Sequence, residues 1–451
     1  MKKILLTSLL LTSTLLVSCG NKTNSVDEEG NTIIKMSIMN STNENPGWLA
    51  MIDAANEVLK ANNEKVRIEP DIIKTDSWDQ YYTKVATNMI GHIGGTIGRI
   101  AESHVPMMIE KNQLQDLTEI CNDLISLKDE NNKPIYNASS FEGVAKVDNK
   151  YYGLPSGTQH MLLYYNKTLI DNYNKNNPND QIAYPSGDWN NASTFEEIQD
   201  IAKKLSSGEG ATRRFGVSIA PYLAYAGMYA QNSGGDNIFN SNGECIIKTK
   251  PYYDVYKWFD NMLKVDKSMP TTADTASSSA FDRFLTGNIA MMVDGVWQLH
   301  DIIEYTDFEV GVAAIPVKDK QYSSYTTTFA DRFWAARNST TPNEDKIALK
   351  ALLSIEALLA VSEKQVGGLP IRNDAIDNYF NSLNNSKLKD YVNVIKEGVN
   401  HSVNVPYSTY YNIVDQRINQ KMATWINGDM TSDEFVDFMD KTMKDGMAGL
   451  L

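Results

Sequence analysis

Between Ile34 and Ile68 the hydrophobic period of the chain changes twice, and this constrains the fold more than any other feature. Ile34, Met36 and Ile38 alternate with Lys35, Ser37 and Met39, which predicts a strand. Asn40-Ser41-Thr42-Asn43 supplies turn formers, and Pro46 suits the first turn of a helix. Trp48, Met51, Ile52, Ala55, Val58 and Leu59 then lie on one stripe at helical spacing. Val66 and Ile68 restore the strand pattern. Strand, helix, strand is the opening of an α/β lobe. A chain of 451 residues exceeds one comfortable core, so two such lobes are expected.

The same alternation predicts helices over 81–89 and 105–111, and extended chain from Tyr151 to Leu163 broken at Pro155-Ser156-Gly157. Ser193-Thr194 with Glu196-Glu197 forms a capping box ahead of Phe195, Ile198, Ile201 and Leu205. Thr341-Pro342 with Glu344 forms a second, ahead of apolar positions that run to Leu358. Val310 to Ile315, closed by Pro316, reads as a short buried strand, and helices over 407–426 and 432–444 fill the end. Asn-rich stretches at 172–179 and 381–385 read as loops.

Met1-Lys2-Lys3, an apolar run and then Leu16-Val17-Ser18-Cys19 read as an export signal over 1–19 with a lipidation box, Cys19 taking the acyl chains. An ordinary signal peptide containing a cysteine is the alternative. Residues 20–30 are polar and aperiodic, which predicts a flexible tether. No later stretch is apolar for long enough to cross a bilayer. The expected location is therefore the extracellular or periplasmic face of a cell membrane, by lipid anchor. The formal charge of −14, two units more negative once Lys2 and Lys3 are removed, argues against nucleic acid. The five histidines are scattered without ligand spacing, and P-loop, HExxH and GxSxG patterns are missing, so neither metal nor cofactor is expected. Cys121 and Cys245 could bond in an oxidising compartment or sit apart as small core residues.

Several segments, taken in order, resemble the extracellular solute-binding proteins of bacterial ABC importers, in the sugar-binding, maltose-binding-like branch. They are Lys150-Tyr-Tyr-Gly-Leu-Pro155 with Leu163-Tyr-Tyr-Asn-Lys167; Thr194-Phe-Glu-Glu-Ile198 with Ala202-Lys-Lys-Leu205; Phe284-Leu-Thr-Gly-Asn-Ile-Ala-Met-Met292 with Asp294-Gly-Val-Trp297; Gly311-Val-Ala-Ala-Ile-Pro316; and Gly367-Gly-Leu-Pro-Ile-Arg372. Gly94-Gly-Thr-Ile-Gly-Arg-Ile100 departs from that pattern, lacking the acidic residue usual after the glycine-threonine pair, and Asp331-Arg332 is also unusual. The resemblance implies an α/β, two-lobed periplasmic-binding-protein type II fold with an interlobe cleft. Hinge crossings are expected near Thr158, near Phe329 and between about Asn385 and Asn400. The N-terminal lobe would then hold 31–157 and 330–385, and the C-terminal lobe 158–329 and 386–451. This separates Cys121 from Cys245, so they are expected to stay unpaired.

The implied function is a monomeric, non-catalytic receptor that closes on a sugar or oligosaccharide and is read by a membrane permease. Competing readings are a secreted carbohydrate-active enzyme, a sensory lipoprotein of the same fold, or a receptor for glycerol phosphate, a polyamine or another small polar ligand. Sugars offer C–H faces to aromatic rings and hydroxyls to planar polar groups, and the chain has 23 Tyr and 7 Trp. Trp297, beside Asp294, falls where the family carries a stacking Trp. Tyr410 and Tyr411 match its C-terminal aromatic wall. Tyr225 and Asn232 flank another contact loop, though a packed Tyr and a turn Asn explain them equally well. Asn40, Thr42 and Asn43 follow the first strand, where α/β sheets place ligands, although turn chemistry also accounts for them. Glu102 and Ser103 follow Arg99, and Gln159 lies at the first crossing. Arg332 pairs either a ligand carboxylate or an interlobe partner. His104 and His160 flank the expected cleft as further hydrogen-bonding candidates. Trp48 and Trp258 lie on apolar helical stripes and are read as core.

Overall fold

A computed structural model describes residues 26–40, 45–75, 77–364 and 368–451. The export signal, Cys19, Thr42 and Asn43 lie outside these residues. Of the expected tether, residues 26–30 are folded: Val26 bridges Thr32, and the Asp27 carboxylate accepts the Glu29 and Asn31 N–H groups in a tight turn.

Two separate sheets carry the fold. In the first, Val66–Ile73, Thr32–Met39 and Ile97–Ile100 run parallel, and Arg332–Ala335 and Leu154–Pro155 complete the sheet in antiparallel register. Asn45–Ala61, Pro342–Leu352 and Ile355–Ser362 cover one face, where Met36, Ile38, Trp48, Leu349 and Leu358 are sealed. Tyr81, Val85, Met108 and Trp334 seal the other. Gly98 is required here, because a Cβ would come 2.5 Å from the Trp334 ring.

The second sheet runs Ser402–Asn404, Thr326–Phe329, Gln159–Asn166, Ile289–Gly295, Phe215–Ile219, with Val310–Ala313 also on Gln159–Asn166. Every residue of Gln159–Asn166 is buried, as a strand covered on both faces must be. The expected capping box is present at Thr194, whose side chain accepts the Glu197 N–H at 3.1 Å.

The chain passes between the sheets from Pro155 to Gln159 and returns from Phe329 to Arg332. Later, Leu369 lies in the second core, Ile371 in the first and Tyr379 again in the second. Burial of Tyr379, Phe380 and Leu383 draws the Asn-rich run into the helix Asn373–Asn384, while the helix Lys167–Asn176 takes the first part of the other expected loop and 177–179 remain a turn. At Thr341 the second expected cap does not form. Asp345 instead turns inward to the Thr96 hydroxyl at 2.6 Å and Gln115 Nε2 at 2.9 Å. The apolar run to Leu358 is also two helices, the second capped by Ser354. Cys121 lies in the first core, Cys245 packs on the second, and both are free. Among the described residues, no helix is long and apolar enough to cross a membrane.

Candidate functional site

Where the first sheet faces the second, its strand ends carry paired charges. Arg99, at the end of Ile97–Ile100, forms a buried ion pair with Asp331, and its guanidinium lies 4.4 Å over the Trp48 ring and 5.1 Å from that of Trp78. Arg332 donates through Nη2 to Glu102 Oε1 at 2.9 Å and to the Glu142 carbonyl at 2.7 Å, and through Nη1 to the Ser140 carbonyl at 2.6 Å. Glu102 Oε2 accepts the Ala330 N–H at 3.2 Å. Arg332 and Glu102 are 2% and 8% exposed, so the two charges are buried as a pair. Arg332 thus pairs the Glu102 carboxylate on the same wall rather than an interlobe partner.

The facing wall belongs to the second sheet and is aromatic. Asp294 and Gly295 end the strand Ile289–Gly295, and one short turn, Val296–Gln298, brings Trp297 back across it. Gly295 permits this fold-back: a Cβ there would come 2.1 Å from the indole. Trp297 meets Phe329 edge-on at 5.6 Å, Phe329 meets Tyr225 at 6.1 Å, and Tyr225 meets Tyr222 at 5.7 Å, giving one continuous run of rings. Trp297, Phe329 and Tyr225 are half-buried and Tyr222 is exposed. Tyr407, also half-buried, packs edge-on against the sealed Tyr411 at 4.8 Å.

Two carboxylates stand in this wall. Asp294 accepts the Gly295 N–H at 2.7 Å and Gln298 Nε2 at 3.0 Å, with the Trp297 indole N–H also against it. Burial nevertheless pushes it up to about 6, outweighing those donors. Asp415, on the helix Tyr411–Ile426, accepts Asn419 Nδ2 at 2.8 Å, and burial pushes it to about 6 as well. Tyr222 and Tyr225 lie in the field of both carboxylates. Tyr407 lies in the field of Asp415 and, from the opposite wall, of Glu102 and Asp331. The walls touch where Asn412 Nδ2 donates to the Ser103 carbonyl at 3.0 Å.

Of the sequence candidates, Trp297, Asp294 and Tyr225 converge on this seam, and Ser103 stands at its rim. Asn40 is exposed at the end of the first strand, with its N–H on the Ile73 carbonyl. Asn232 is fully buried: its amide donates to the Pro316 and Tyr325 carbonyls and accepts the Tyr325 N–H, so it satisfies backbone rather than facing the gap. Gln159 is 5% exposed within its strand. Tyr411 is 4% exposed, and the Tyr410 ring lies beside Gly446 of the last helix. The helix begins at Tyr411 rather than 407, and Tyr407 and Tyr410 are both half-buried. His104 is engaged by Asp79 at 2.9 Å and by the Ser103 hydroxyl at 3.1 Å. His160 is fully buried under Gly398, and desolvation lowers it to about 4. Trp48 and Trp258 are core, at 1% and 5% exposure. Sequence reasoning missed Phe329, Tyr407, Tyr222 and Asp415.

A surface cavity of about 600 Å³ lies elsewhere, at the outer edge of the first sheet among Asp27, Asp53, Glu57, Lys60 and Arg67. No aromatic ring lines it, so it lacks the chemistry of the seam.

The comparisons agree with this geometry. Residues 50–394 match the family model for the bacterial extracellular solute-binding protein. Among curated proteins, none matches the chain. Similar solved structures include an ABC substrate-binding protein from Listeria monocytogenes in complex with cycloalternan, with TM-score 0.76, 20% identity and 92% of this chain and 99% of that one covered. The GacH receptor of Streptomyces glaucescens, solved unliganded and with acarbose, gives TM-score 0.73 at 15% identity over 92% and 98%. Maltose-bound MalE3 of T. maritima gives 0.70 at 17% over 91% and 99%. These likenesses concern the two-lobed fold, and the family match covers most of the chain. The chain belongs to the bacterial extracellular solute-binding proteins.

Proposed function

We propose that this protein is the carbohydrate receptor of an ABC importer, anchored to the cell membrane by acyl chains on Cys19 and acting as a monomer. The observation that carries the reading is the run of rings from Trp297 through Phe329 and Tyr225 to Tyr222, with Asp294 and Asp415 set into it. Rings of this kind cover the C–H faces of a sugar while carboxylates accept its hydroxyls. Several proteins of the same fold were solved with saccharides, which supports the substrate class. We divide the lobes at the two passages 155–159 and 329–332 and at a third between Ile371 and Tyr379. Ligand touching both walls favours the closed form, which the permease reads. We assign contacts to Trp297, Tyr225, Tyr407 and Asp294, with Ser103 and Asn40 at the rim, and no bond is broken.

A thermal-shift screen of the purified protein against mono- and oligosaccharides tests this. A ligand specific to the native state stabilises it by about 2.7 kcal/mol at a hundredfold excess over its dissociation constant. A rise in midpoint with a saccharide, lost in Trp297→Ala and accompanied by no turnover, is expected. Turnover of the saccharide, or a response confined to phosphate esters, overturns the reading.

A further inference from the structure

The first-lobe wall carries one indole that the core does not enclose. Trp78 opens the helix Trp78–Ile90, just beyond the carboxyl end of the strand Val66–Ile73. It is half-buried, whereas Trp48 on the same wall is sealed. The Arg99 guanidinium contacts both rings, at 4.4 Å from Trp48 and 5.1 Å from Trp78. Arg99 is itself buried against Asp331, in the passage that returns to the first sheet. Tyr81 meets the Trp78 ring edge-on at 5.6 Å, and the Tyr81 hydroxyl donates to the Ser37 carbonyl at 2.7 Å. Burial thus falls from Trp48 and Arg99 to Trp78, which is the outermost group of the three.

A chain of hydrogen bonds ties this helix end to the second lobe. Asp79, next in sequence, meets one nitrogen of the His104 ring at 2.9 Å, and the other lies 3.1 Å from the Ser103 hydroxyl. The Ser103 carbonyl accepts Asn412 Nδ2 from the helix Tyr411–Ile426 at 3.0 Å. Trp78 therefore stands close to where the walls meet. It also lies at the carboxyl ends of parallel strands, the side from which α/β sheets offer ligand contacts.

The rings of Trp297, Phe329 and Tyr225 all belong to the second-lobe wall. A pyranose has two faces, and a wall on one lobe covers only one of them. A ligand favours closure only through contacts that the closed form adds. From the first lobe, Asn40 and Ser103 serve hydroxyls, and Arg99 and Arg332 are already paired with carboxylates. Trp78 supplies what these lack, an apolar ring face. Its contact with a buried guanidinium also holds the indole before ligand arrives, so little side-chain freedom is left to lose on binding.

Resting on the carbohydrate reading, we propose that Trp78 is the stacking ring of the first lobe, covering the second face of the saccharide when the lobes close.

Isothermal titration of the parent against maltotriose, cellotriose, mannotriose and xylotriose selects the tightest binder, and small-angle scattering follows the contraction it causes. Trp78→Ala should weaken that saccharide by about tenfold or more and reduce the contraction, because the lost contact belongs to the closed form. Trp78→Phe should recover most of the affinity and Trp78→Leu little of it, since leucine restores apolar bulk without a ring face. The urea midpoints of unliganded Trp78→Phe and Trp78→Leu should agree, which separates binding from folding. Parent-like affinity in Trp78→Ala overturns the proposal and leaves the carbohydrate reading standing. Equal affinity in Trp78→Phe and Trp78→Leu, or affinities that merely track the urea midpoints, overturns it by reducing Trp78 to packing. A parent that binds none of these trisaccharides overturns the carbohydrate reading, and this proposal with it.

Discussion

The two walls of the seam handle charge in opposite ways. On the first-lobe wall, Arg332 is 2% exposed and surrounded by one carboxylate and two carbonyls, and Arg99 is held by Asp331 and stacked on Trp48. On the second, Asp294 and Asp415 are held by the neutral donors Gln298, the Gly295 N–H and Asn419, with no Lys or Arg bridging either among the described residues. The first arrangement recovers the cost of desolvation within the fold and fixes the strand ends. The second leaves that cost within the fold, where it pushes both carboxyls up to about 6.

The severest way to break the contrast is to remove Arg332. Arg332→Ala strands Glu102, 8% exposed, as a buried anion and orphans the Ser140 and Glu142 carbonyls. Loss of one partner from a buried pair costs about 3–5 kcal/mol. Urea unfolding should show a loss of that size, whereas the Glu102→Gln, Arg332→Met pair loses less because no lone charge remains. The folded fraction should keep its ligand preference. A loss under about 1 kcal/mol, or an inverted preference, would show that this pair meets the ligand.

Asp415→Asn sharpens the other side with a smaller effect of opposite sign. The native carboxyl holds its proton to about 6 against an ordinary 3.8, so between those values the native state binds more protons than the unfolded chain. Its contribution to stability is fully present below about 4 and is lost as pH rises through about 6. Asparagine removes that slope and should raise stability at pH 7.5 by about 1–2 kcal/mol, the lower end allowing for partial solvation. Denaturation at pH 4, 5, 6 and 7.5 checks this. A variant less stable than the parent at pH 7.5 would mean that the carboxylate has a counter-ion in solution.

The same contrast explains what the sequence made legible. Period changes wrote out the sheets and most helices, because burial on one face enforces them from Ile34 to Leu59 and at Phe195 to Leu205. Asp294 and Trp297 could be read because a strand, a glycine and an indole follow in immediate succession. Asp415 could not, since a lone carboxylate on a helix looks like any solvated face until the opposite lobe covers it. Phe329 ends a strand at a chain passage, and only its packing between Trp297 and Tyr225 reveals a role. Asn232 failed for the complementary reason. A polar residue beside a double glycine resembles a contact, yet here the unpaired carbonyls of Pro316 and Tyr325 claim its amide.

The smallest expected effect tests whether the walls are coupled at all. Asn412 Nδ2 reaches the Ser103 carbonyl at 3.0 Å, joining the helix Tyr411–Ile426 to the first lobe. Such a bond contributes about 0.5–1.5 kcal/mol. Asn412→Ala removes it without touching the rings, Asp294 or the Arg332 cluster. Because the bond exists only while the lobes meet, its loss should fall on the open–closed equilibrium rather than on unfolding. Ligand affinity should weaken by about twofold to tenfold, the same free energy expressed as a population shift. The urea midpoint should barely move, and small-angle scattering of the unliganded protein should show a larger radius of gyration. Equal affinity with an unchanged radius would mean that Ser103 and Asn412 meet without biasing closure, and that the aromatic wall alone holds the lobes together.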